Sequence, residues 1–106
     1  MSVPPGLKVF RIRIPAGMRS KQKLFAVLAD KLHLPSYFGR NWDALEECLK
    51  DLSWLPPGDI LLQHGDMPFG PGGENRDIYL AMLCDVTAHW EQSGQRRFRA
   101  ELPPRE

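Results

Sequence analysis

The chain has 106 residues, 42% of them hydrophobic, which makes one domain able to bury roughly 60–70% of its unfolded surface around a single core. Lys and Arg total 14 against 13 acids, so the net charge of +1 supplies no global field to draw in nucleic acid or an anionic membrane, and any electrostatic function has to be local. The opening Met1-Ser2-Val3-Pro4-Pro5-Gly6 has no basic segment followed by an apolar run, and no stretch reaches the ~20 apolar residues of a membrane span, so a cytoplasmic protein is expected.

Lys8 to Ile14 alternates, with Phe10, Ile12 and Ile14 on one face and Val9, Arg11 and Arg13 on the other, the period-2 pattern of a strand. Pro15-Ala16-Gly17 ends it. Ser20 caps a helix running through Leu32, in which Leu24, Phe25, Leu28 and Leu32 recur at helical spacing. Pro35 disfavours helical backbone at Leu34 and closes that segment.

A second helix is expected from about Asn41 to Ser53. At 100° per residue, Trp42, Leu45, Cys48, Leu49 and Leu52 share one sector, while Asp43, Glu46, Glu47, Lys50 and Asp51 share the opposite one. Asn41 suits the N-cap, and acids near the first turn complement the positive end of the helix dipole. Part of this acidity is therefore ordinary helix chemistry. Leu55-Pro56-Pro57-Gly58 breaks the chain, and Asp59 to His64 is a short apolar run that reads as a central or inner strand. The Gly- and Pro-rich segment from Gly65 to Gly73 reads as the longest loop. A third helix follows from about Asn75 or Arg76 to Glu91, with Tyr79, Met82, Leu83, Val86 and Trp90 as its core stripe, until Ser93-Gly94 terminates it. Arg96 to Leu102 alternates weakly as a last strand. This order, with connections long enough for crossovers, predicts an α/β fold with a three-stranded parallel sheet and three main helices.

The parts of an enzyme are scarce. His33, His64 and His89 are isolated from one another and from other ligands at metal spacing, so they read as structural or surface residues. Gly70-Pro71-Gly72-Gly73 lacks the Lys-Ser/Thr of a phosphate-binding loop. Cys48 and Cys84 have no C-x-x-C spacing; Cys48 falls on the core side and reads as a small buried hydrophobe. Arg96-Arg97-Phe98-Arg99 is basic with an aromatic interleaved, but a strand splits these arginines between faces, and the segment reads as a charged edge strand. No catalytic residue, metal or cofactor is expected.

The densest information lies from Leu34 to Leu49. Leu34, Pro35, Tyr37, Phe38, Gly39, Asn41, Asp43, Ala44 and Leu45, followed by Glu47, Cys48 and Leu49, closely resemble the signature of the barstar family of intracellular inhibitors of barnase-type ribonucleases. The resemblance implies a single barstar-like domain over residues 1–106, no enzymatic activity, and a helix that plugs a ribonuclease active site. It places Asp43 and Glu47 at two acidic interface positions, with Glu47 where the family inhibitor has aspartate, and Tyr37 at a loop aromatic that packs across the nuclease. Glu46 stands where that inhibitor has tryptophan, and Trp42 where it has leucine.

Independently of the resemblance, Asp43, Glu47 and Asp51 at i, i+4 and i+8 form a carboxylate row that can stand in for RNA phosphates before a pocket of cationic side chains. Core packing competes with partner contact for Tyr37 and is the better reading for Phe38, while Gly39 is expected to supply a turn closed to other residues. Asp85 is a candidate for a further interface acid on the third helix. The expected partner-binding set is therefore Tyr37, Gly39, Asn41, Asp43, Glu46, Glu47 and Asp51. The expected partner is a barnase-type ribonuclease or related toxin nuclease, bound by a protein that is monomeric when free and contacts neither nucleic acid nor membrane directly. The alternative is a barstar-fold interaction module with a non-nuclease partner, and RNA binding through Arg96, Arg97 and Arg99 is the least favoured third reading.

Overall fold

The computed structural model describes residues 8–35, 38–39, 41–69 and 73–103. The elements run β1 (Val9–Ile14), α1 (Lys21–Leu32), α2 (Trp42–Asp51), β2 (Asp59–His64), α3 (Glu74–Ser93) and β3 (Phe98–Glu101). The three strands form a parallel sheet in the order β1-β2-β3, so the apolar β2 is central, as its composition predicts. Gly58 lets β2 start hard against β1: a Cβ there would lie 2.6 Å from the Phe10 ring and 2.7 Å from the Lys8 carbonyl oxygen.

The register sets two unlike faces. Phe10↔Ile60↔Phe98 and Ile12↔Leu62↔Ala100 line the side that meets the helices, whereas Arg11↔Leu61↔Arg99 and Arg13↔Gln63↔Glu101 line the other. Burial alternates to match, with Ile60, Leu62 and Phe98 buried and Arg11, Arg13 and Arg99 exposed. The core therefore lies on one side of the sheet, where Leu24, Phe25, Leu28 and Leu32 of α1, Leu45 and Leu49 of α2, and Tyr79, Leu83, Val86 and Trp90 of α3 converge.

The caps fall where the residue types direct them. Ser20 Oγ accepts from Lys23 N at 3.2 Å, satisfying an otherwise unpaired donor of the first turn of α1. His33 and Gly94 end α1 and α3 in the left-handed conformation. Helix α3 is longer than its core stripe requires, beginning at Glu74 and ending at Ser93. Strand β3 is shorter than the alternation suggests, covering only Phe98–Glu101; just before it, Arg97 N donates to the Asp59 carboxylate at 2.9 Å. Among the described residues, no helix is long and apolar enough to cross a membrane.

Candidate functional site

Helix α2 is launched by Asn41, whose Oδ1 accepts from Ala44 N at 2.8 Å. Its underside is a run of anchors: Leu45, Leu49 and Leu52 are 0% exposed and Cys48 is 5%. Each fully buried leucine contributes roughly 1.5–3 kcal/mol. Trp42 is half-buried and joins an aromatic cluster, with its ring centroid 5.1 Å from Phe25, 6.0 Å from Phe69 and 6.1 Å from Tyr79. Leu52 closes the helix with φ 50°, a left-handed conformation that a leucine adopts here while its side chain is held in the core.

Two indoles fix the far end of α2. Trp90 Nε1 donates to the Leu49 carbonyl at 2.8 Å, and Trp54 Nε1, just beyond the helix, donates to the Leu32 carbonyl at 2.9 Å. The first satisfies a carbonyl left unpaired in the last turn of α2, and the second ties the segment after α2 to the end of α1. The sequence places Trp90 on the core stripe of α3; the hydrogen bonds of both indoles carry no pattern of their own beyond the single donor.

The opposite side of α2 faces solvent. Asp43, Glu47 and Asp51 are all exposed, and one residue rises 1.5 Å along the axis, so the three span about 12 Å. Glu46 differs from them: it is half-buried, and its Oε2 accepts from Lys50 Nζ at 2.7 Å. That hydrogen bond raises the Lys50 pKa, with the charges of Glu46 and Asp85 adding to the effect against partial desolvation. Asp85 is exposed on α3, so its carboxylate lies close enough to α2 to extend the same acidic region. Burial pushes the Cys48 thiol up, and the carboxylates of Asp51 and Glu47 push it further, leaving a neutral thiol beneath the acidic row.

Of the preceding loop, Phe38 is buried at 9% exposure and packs edge-on to Phe25, the core role its sequence context favours. Gly39 is exposed, but its φ is not in the left-handed region, which corrects the expectation of a turn that only glycine could make. A Cβ at Gly39 would sit 3.4 Å from the capping amide of Asn41. Tyr37, the loop aromatic expected to contact a partner, lies outside the described residues, as do Ser36 and Arg40. The structure thus brings Asn41, Asp43, Glu47 and Asp51 to one solvent-facing side, sets Glu46 at its margin and Gly39 at its entrance.

The surface concavities lie elsewhere or at the edge of this site. One groove of about 610 Å³ sits at the carboxyl ends of the strands, lined by Arg13, Gln63, His64 and Glu101 among others. A second, of about 550 Å³, lies between the C-terminal end of α2 and Trp90, touching Lys50 and Asp51. Asp43 and Glu47 line neither of these two grooves, while Asp51, at the end of the acidic row, borders the second.

Beside the first groove is a buried polar contact that sequence alone does not announce. His64 Nδ1 lies 2.9 Å from the Glu101 carbonyl oxygen, which can only accept, so Nδ1 carries the proton and Nε2 accepts from the Tyr79 hydroxyl at 2.7 Å. Burial lowers the His64 pKa against the opposing effects of that carbonyl and Asp66, and burial also pushes the Tyr79 phenol well above its ordinary value. Both groups are spent on each other, which makes this pair a structural clasp between β2, α3 and β3.

The family model for Barstar, described as barstar (barnase inhibitor), matches residues 7–102, spanning every strand and helix above. The chain belongs to the barstar family. Barstars form an inhibitor family, and the matched residues include the whole of α2 with its exposed Asp43, Glu47 and Asp51. No curated protein sequence matches the chain.

Proposed function

We propose that this barstar-family protein inhibits a barnase-type or related toxin ribonuclease by seating the acidic side of α2, with the preceding loop and Tyr37, over the nuclease active site. The observation that carries the reading is the exposed row Asp43, Glu47 and Asp51 on a helix whose other side is anchored in the core. A ribonuclease binds RNA phosphates with cationic side chains, and carboxylates held on a rigid helix offer those side chains charge-assisted hydrogen bonds from a backbone that is already ordered. Inhibition is then occlusion, and no chemistry is asked of this chain.

Glu47 reaches one methylene further than aspartate, so the cationic pocket it fits is deeper. The Lys50 to Glu46 bond keeps Glu46 on its own helix and makes Asp43 and Glu47 the principal contacts. Titrating the protein into RNA-cleavage assays of a panel of barnase-type nucleases tests the reading. Stoichiometric loss of cleavage with at least one of them is expected, and undiminished cleavage by all of them at excess inhibitor contradicts it.

A further inference from the structure

All-parallel sheets are almost always covered on both faces, yet this one carries its helices on one side only. Arginine is the commonest residue on the uncovered side. Arg11 and Arg99 flank Leu61 in one row, Arg13 lies in the next row with Gln63 and Glu101, and the exposed Arg97 immediately precedes β3 beside Asp59. Arg96, by contrast, turns away and stacks its guanidinium 5.3 Å above the Trp90 ring. The basic run that reads as an isolated edge strand therefore joins arginines from the far end of the chain.

None of Arg11, Arg13, Arg97 and Arg99 forms an ion pair among the described residues. The two carboxylates of this face accept from neutral donors, Glu101 from the Gln63 amide at 3.1 Å and Asp59 from the Arg97 backbone at 2.9 Å, so they keep their charge and the four arginines outnumber them two to one. Arginine stems alone could shield Leu61 from water, and lysine would do so equally. Arginine on both edge strands supplies instead a set of planar forks suited to phosphate oxygens. With strands about 4.8 Å apart and a rise of about 3.3 Å per residue, the Arg11 and Arg99 backbones are about 10 Å apart and those of Arg11 and Arg13 about 7 Å, so several phosphates can be met at once.

We infer that the open face of the sheet, through Arg11, Arg13, Arg97 and Arg99, binds the phosphate backbone of nucleic acid. A protein partner is disfavoured because the face offers neither an aromatic anchor nor a desolvated apolar centre, only Leu61 and the half-exposed Val9. The same absence of aromatics removes base stacking, so binding is independent of sequence and governed by counterion release. This inference reverses the expectation that nucleic acid is not a partner, which rested on the near-neutral net charge and on the splitting of the Arg96–Arg99 run between strand faces; Arg96 does turn away, but Arg97 and Arg99 share a face with Arg11 and Arg13.

Fluorescence anisotropy of a labelled single-stranded RNA 20-mer tests it on the full chain. Engagement of three or four phosphates gives a log–log salt slope of about −2 to −3, or roughly a 15- to 60-fold loss of affinity between 50 and 200 mM salt. Arg11→Glu with Arg99→Glu is expected to abolish measurable binding while circular dichroism is unchanged, and Arg13→Gln alone to flatten the slope by about 0.7. Asp43→Ala with Glu47→Ala leaves RNA binding intact, which separates this surface from the nuclease-facing one. No retention of RNA by the wild type at 50 mM salt overturns the inference. So does equal binding by the arginine variants, or competition by polyglutamate as effective as by unlabelled RNA.

Discussion

Helix α2 and the open face of the sheet carry the two charge concentrations of this molecule, and they are built differently. The carboxylates of α2 ride on a helix fixed from beneath by three fully buried leucines and at its C-terminal end by the Trp90 indole. The arginines of the sheet stand on strands whose backbone register is fixed, but their long side chains reach freely into solvent. A rigid acidic row is suited to one cationic cleft of matching shape, and a flexible basic face to any polyanion that passes. The +1 net charge conceals both, because the opposing groups point away from the core in different directions.

The comparison breaks most readily at the anchors. Leu49→Ala removes a 0% exposed side chain from under α2 and is expected to cost about 2–5 kcal/mol in denaturant unfolding, whereas Arg11→Ala on the sheet should change stability by less than about 0.5 kcal/mol. Tyr79→Phe is expected to cost about 1–3 kcal/mol, since it leaves His64 Nε2 buried without a donor. Comparable losses for Leu49→Ala and Arg11→Ala would show that α2 is not the more deeply anchored of the two charged elements.

A pH series sharpens the same contrast. Burial holds the folded His64 pKa below the ordinary 6.5, so the unfolded chain takes up a proton more readily as pH falls. The stability that neutral His64 provides is complete above pH 6.5 and is lost progressively as pH drops toward its folded value. Thermal melts from pH 7.5 to 5 should show that decline, and His64→Gln should flatten it; an unchanged profile would mean other groups set the acid sensitivity. A small effect is also expected from Lys50→Ala, about 0.3–0.5 kcal/mol for a half-buried i, i+4 pair, read by chemical denaturation.

Most of the fold is legible in the residues because local signals agree with one another. Ser20 and Asn41 both cap, the five apolar positions of α2 all face inward, and the Asp59–His64 run is the central strand. The family signature from Leu34 to Leu49 is likewise readable, with the acids on the solvent side where the helical wheel puts them. What escapes is whatever depends on tertiary partners. The Trp90 to Leu49 bond joins residues 41 apart, and the His64 to Tyr79 contact links a strand to a helix, so no local spacing encodes either. The union of Arg11 and Arg13 with Arg97 and Arg99 requires the parallel register through β2. Gly39 misleads for a different reason, because its φ is not left-handed and a Cβ there would meet only ordinary contacts, so neither backbone conformation nor space demands glycine.

The central claim, that α2 binds a nuclease through carboxylates that do not hold the fold together, is tested most directly by one paired measurement. Affinity for an inhibited barnase-type ribonuclease and thermal stability are determined together for the wild type, Asp43→Ala and Glu47→Ala. Each substitution should weaken the complex by at least about tenfold, a difference of roughly 1.4 kcal/mol, while Asp43→Ala, which also loses its contact with the helix dipole, changes stability by less than about 1 kcal/mol. Wild-type affinity in both variants, or a loss of affinity that only accompanies unfolding, would contradict the account.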